Sequence, residues 1–90
     1  MAEIKNIKNQ ARANTMTNLE KYNKIFIGMF HKTEGLKYRG IPLWDSIGHM
    51  DLVGELEEAF DIHMDTPDVL DFTSYEKGKE VLGRYGVTIE

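Results

Sequence analysis

Cysteine is absent from the 90 residues, which removes disulfide bracing, zinc–thiolate sites and thiolate nucleophiles from consideration. Any thioester chemistry on this chain therefore needs a sulfur supplied from outside. Proline is nearly as scarce, with only Pro42 and Pro67, so little in the sequence breaks helices. No apolar run approaches the roughly 20 residues that cross a bilayer, and Met1-Ala2-Glu3-Ile4-Lys5 has no secretory-signal character. A cytoplasmic protein with no membrane span is expected. Positive charge is thin in the second half: residues 45–90 hold three Lys or Arg and twelve Asp or Glu, against eight and three in residues 1–44. An acidic half of this kind repels nucleic-acid phosphates and suits a partner with a basic docking patch.

What is present suffices for one small core. Apolar residues make up 41% of the chain, too many for a disordered segment and enough for a single, modestly stable domain. Residues 1–14 are polar and slightly basic and read as a flexible tail, leaving 15–90 as a helical domain. Thr17-Asn18-Leu19-Glu20 fits a capping box, with Leu19, Tyr22, Phe26 and Phe30 following at helical spacing as far as about His31. Lys32 to Trp44 contains Gly35, Gly40 and Pro42 and has no sustained period, so it reads as a long loop anchored by Leu36, Tyr38, Ile41, Leu43 and Trp44.

The second helix carries the strongest pattern. Leu52, Val53, Leu56 and Phe60 fall within an arc of about 100°, a core-facing stripe. Asp51, Glu55 and Glu58 lie on the opposite side within about 60° of one another, flanked by Ile47 and Gly54. Asp45 is placed to act as N-cap toward the N–H of Ile47 or Gly48, which puts Ser46 at the first helical position beside unpaired N–H groups. Further on, Thr66-Pro67 reads as N-cap and first helical residue of a short helix ending at Leu70 or Asp71. Thr73-Ser74-Tyr75-Glu76 reads as a second capping box, and Gly86 as the terminator of a last helix bearing Tyr75, Gly78, Leu82 and Tyr85. The fold class is all-α: a small four-helix bundle with three longer helices, a short third one and a long first loop.

Two chemistries fail on their spacing. Asp61-Ile62-His63-Met64-Asp65 alternates oxygen ligands, but Thr66 and Phe72 occupy the positions where a calcium loop needs glycine and a bidentate glutamate. His31, His49 and His63 have no metal spacing, and His49, which projects to about the same side as Leu52 and Val53 and so reads as partly buried, shares a helix with Ser46 in a poor arrangement for taking its proton. No metal and no catalytic residue are expected.

Trp44-Asp45-Ser46-Ile47-Gly48-His49-Met50, the ending Leu56-Glu57-Glu58-Ala59-Phe60 and a further helix closing on Gly86-Val87 together resemble the acyl carrier protein family. The resemblance runs from about Thr17 to Ile89. It implies a non-catalytic, monomeric carrier in which Ser46 bears a 4′-phosphopantetheine arm derived from coenzyme A and installed by a phosphopantetheinyl transferase. The arm would hold acyl intermediates as thioesters for enzymes of fatty-acid, polyketide or specialised lipid synthesis. Acyl-loading and acyl-transferring enzymes with basic patches would meet Asp45, Ile47, Asp51, Gly54, Glu55, Glu57 and Glu58. Phe26, Phe30, Leu52, Val53, Leu56 and Phe60 would form core or acyl pocket, and the short third helix would be the element that moves as cargo enters. Gly48 and Gly54 depart from common members of that family. An aminoacyl or peptidyl carrier is the alternative, although Leu43-Trp44-Asp45-Ser46 lacks its usual Gly-Gly motif. An unmodified helical adaptor binding a basic partner is a third possibility.

Overall fold

A computed structural model describes residues 16–90; the tail assigned to 1–14 lies outside them. Four helices make up the regular structure of the described residues: α1 Asn18–Phe30, α2 Ser46–Phe60, α3 Thr66–Asp71 and α4 Tyr75–Gly83. No strand occurs among these residues, and the all-α reading holds. None of the described helices is long and apolar enough to cross a membrane.

α1 starts where its capping box stands. The Thr17 hydroxyl accepts from Glu20 N–H at 3.1 Å and the Glu20 carboxylate accepts from Thr17 N–H at 2.8 Å, satisfying two donors that the first turn leaves free. Tyr22, Phe26 and Phe30 are buried along one stripe, and α1 packs along α2 through it. The core is strongly aromatic. Phe30 stacks on Trp44 with centroids 5.0 Å apart, and Phe26 meets Trp44 edge-on at 5.6 Å and Tyr75 at 5.1 Å, geometries that suit ring quadrupoles. Burial pushes the Tyr22 phenol well above its usual range, chiefly by desolvation and then by the neighbouring Tyr75. Its hydroxyl is satisfied by donating to Tyr75 O at 2.7 Å.

The long first loop is stitched down at several points. Lys37 forms an isolated antiparallel bridge with Ser74; Tyr38 N–H donates to Thr73 O at 2.9 Å and Tyr75 N–H to Leu36 O at 3.0 Å. Leu36 and Trp44 are buried, as their anchoring role requires. Leu43 is not an anchor, being 51% exposed.

The starts of the last two helices shift by one residue. Asp65 is the N-cap of α3, with Thr66 already helical. Ser74, not Thr73, caps α4, accepting from Lys77 N–H at 2.8 Å. The Lys37 bridge holds Ser74 extended, so the helix begins only after it. α4 then tapers through tightening turns to Gly86 at φ 81°, a left-handed residue where glycine carries no Cβ penalty. Gly78 is buried against α1: a Cβ there would lie 2.2 Å from the Phe72 ring and 2.3 Å from the Tyr22 hydroxyl.

Candidate functional site

Ser46 is exposed at the first position of α2. Asp45 caps the helix as its sequence position requires, its carboxylate accepting from Gly48 N–H at 2.8 Å. The approach to the serine is fixed by a close contact: a Cβ on Gly48 would stand 2.1 Å from Leu43 O. Glycine at 48 thus lets residues 41–44 fold tightly against the helix start, which sets where Asp45 and Ser46 emerge.

Two side chains that sequence reasoning did not assign to the site converge on the serine. The Tyr38 hydroxyl lies 3.2 Å from Ser46 Oγ, and Arg39 Nη2 donates to the same oxygen at 3.4 Å. The hydrogen bond with Ser46, and after it the one with Arg39, hold the Tyr38 phenol below its usual range. Arg39 sits at φ 66°, a conformation that costs any residue with a Cβ. Its N–H donates to Trp44 O at 2.8 Å while Gly40 N–H closes a turn onto Lys37 O at 2.8 Å. The length of the loop was the one signal available in the sequence, since long ordered loops usually serve a purpose.

Behind the serine, His49 is 8% exposed and fully bonded. Trp44 Nε1–H donates to His49 Nδ1 at 2.9 Å. An indole nitrogen only donates, so Nδ1 accepts, Nε2 carries the proton, and Nε2–H donates to Val69 O at 2.8 Å. One imidazole therefore links the serine loop to α3. With both ring nitrogens engaged, His49 is a structural residue with no nitrogen left for Ser46.

Along α2, Asp51, Gly54, Glu55 and Glu58 are exposed as expected, as is Ile47 at 74%. Among the described residues Asp45, Asp51, Glu55 and Glu58 form no ion pair. Glu57 is placed differently. It is half-buried and accepts from Met64 N–H at 2.8 Å, with His63 Nδ1 at 3.6 Å, so it braces the loop after α2.

Phe26, Phe30, Leu52, Val53 and Leu56 are core, with Phe60 half-buried against them. One of several open spaces on the surface lies to one side of that core. A groove of about 390 Å³ runs between α2 and α3, lined by Met50, Val53, Glu57, His63, Met64, Thr66, Val69 and Leu70. Val53 alone of the six expected pocket residues lines it. Met50 and Leu70, which rim it, are 58% and 71% exposed.

α3 buries no residue fully and is held mainly by polar contacts. Arg84 donates to Asp68 and Asp71 at 2.7 Å each, Asp65 N–H donates to the Tyr85 hydroxyl at 2.8 Å, and that hydroxyl donates to Asp68. The Tyr85 hydroxyl and then Arg84 hold the Asp68 carboxyl below its usual range, and Arg84 does the same for Asp71.

No protein-family model, characterised protein or solved structure matches the chain.

Proposed function

We propose that the chain is a carrier protein: a four-helix bundle that is not itself an enzyme and whose Ser46 bears 4′-phosphopantetheine. The observation that carries the reading is an exposed hydroxyl at the start of α2, followed along the same helix by exposed Ile47 and by Asp51, Glu55 and Glu58, which form no ion pair among the described residues. The residues fit the group. Ser46 is open to a transferase, Arg39 offers positive charge at the attachment oxygen, and no cysteine competes for acyl groups.

In the loading step, Ser46 Oγ attacks the pantetheine-side phosphorus of coenzyme A. The Oγ–P bond forms, the pyrophosphate P–O bond breaks with release of adenosine 3′,5′-bisphosphate, and the transferase takes the hydroxyl proton. Bound, the arm supplies the thiol that holds an acyl group as a thioester. Asp45, Asp51, Glu55 and Glu58, with Ile47 and Gly54, form the surface that basic patches on loading and transferring enzymes would meet. Each exposed pair contributes about 0–1 kcal/mol, which suits a carrier that must leave quickly. An acyl chain would gain roughly 0.8 kcal/mol per buried methylene by entering the groove between α2 and α3.

The test is the intact mass after incubation with coenzyme A and a broad-specificity phosphopantetheinyl transferase. One added phosphopantetheine, absent from Ser46→Ala, is the expected result. Acylation by an acyl ligase then separates an acyl carrier from an aminoacyl or peptidyl one, which an adenylation enzyme would load.

A further inference from the structure

Two arginines fall among the described residues, and the fold uses them differently. Arg84 spends its guanidinium on Asp68 and Asp71 at 2.7 Å each. Arg39 forms no ion pair among the described residues, although the chain carries a net charge of −4. Asp45, six residues further on, has its carboxylate on Gly48 N–H. Arg39 instead places Nη2 3.4 Å from Ser46 Oγ, where the Tyr38 hydroxyl also arrives at 3.2 Å, and its guanidinium lies 5.4 Å from the Tyr38 ring centroid. A neutral hydroxyl does little for a guanidinium. An anion esterified to that same oxygen would give it a charge-assisted hydrogen bond and a planar fork to match.

We propose that Arg39 and Tyr38 are positioning residues for the phosphodiester on Ser46, holding its non-bridging oxygens and so fixing the direction in which the arm leaves the protein. The proposal rests on the carrier reading and adds a specific role for the first loop. The guanidinium takes one non-bridging oxygen and the phenol donates to the other. The root of the arm is thereby held over residues 38–39 while its far end stays free. Because the two residues belong to the loop stitched to Thr73 and Ser74, the hold is built by the fold and is present before the arm is attached.

The test compares wild type with Arg39→Gln, Arg39→Lys and Tyr38→Phe, the last keeping the ring that packs 5.0 Å from His49. Each is loaded to completion with excess transferase, checked by intact mass and by circular dichroism, and its phosphodiester is read by ³¹P NMR with and without urea. In wild type the folded resonance is displaced from its unfolded position. The displacement shrinks in Arg39→Gln, where losing one exposed charged contact weakens the hold by up to about fivefold. It is partly restored in Arg39→Lys, reduced in Tyr38→Phe, and fades with added salt. Complete loading with the same ³¹P position in Arg39→Gln as in wild type would overturn this inference alone. Failure of wild type to gain mass would overturn the carrier reading and the inference with it.

Discussion

Gly48 and Gly54 stand on the same helix under opposite constraints. A methyl group on Gly48 would meet Leu43 O at 2.1 Å, whereas one on Gly54 has no neighbour within 4 Å. Gly48→Ala should therefore cost about 1–3 kcal/mol through overpacking against backbone. Gly54→Ala should add up to about 1 kcal/mol through helix propensity. Urea unfolding midpoints of the two variants check both signs. His49 offers a second test at this scale, since its two nitrogens serve Trp44 and Val69. His49→Leu leaves a buried indole donor without its acceptor and should cost about 1–3 kcal/mol, again read by urea. The burial of His49 was legible from its position beside the apolar stripe of α2. Its bonding was not, because the partner carbonyl lies on another helix and leaves no mark on local spacing.

Among the elements, α3 depends most on charge. Its aspartates have folded values lowered by Tyr85 and Arg84, so their contribution is fully present above the ordinary carboxylate value near 3.8 and fades as pH falls through the lowered folded values. Wild type should lose that contribution in the acid range, and Arg84→Gln should flatten the loss at Asp68 and Asp71; melting temperature against pH reads the difference. With no fully buried residue, α3 should also be the first helix to exchange its amide hydrogens. Caps set by neighbours in sequence were legible: Thr17 with Glu20, and Asp45 with Gly48. The caps of α3 and α4 were off by one, and at α4 a long-range contact intervenes. The Lys37 bridge holds Ser74 extended, so the choice between adjacent hydroxyls at 73 and 74 is made by a loop residue 37 positions before Ser74.

At the scale of the whole molecule, periodicity and composition carried the helical class, and the α2 stripe separated buried from exposed side chains. The groove between α2 and α3 was only partly legible, since a stripe of apolar residues cannot say which of them fill a core and which border a groove. The pairing of Arg39 and Tyr38 with Ser46 was hidden in a loop with no period, created by a left-handed residue at 39 and by hydrogen bonds to Thr73 and Ser74. On the proposed carrier function, the charge asymmetry of the chain predicts how it would meet partners. Binding of the loaded protein to a basic-patched acyl-transferring enzyme should weaken steeply with ionic strength. Asp51→Lys combined with Glu55→Lys should reduce the on-rate by an order of magnitude or more at low salt while leaving the melting temperature nearly unchanged; stopped-flow association checks it. All of this presupposes that Ser46 is the attachment point. The most direct test is fragmentation mass spectrometry of the peptide spanning Ser46 after treatment with coenzyme A and a competent transferase. Phosphopantetheine found on Ser46, with none on the Ser46→Ala protein, is the predicted result; a peptide of unchanged mass would contradict the account.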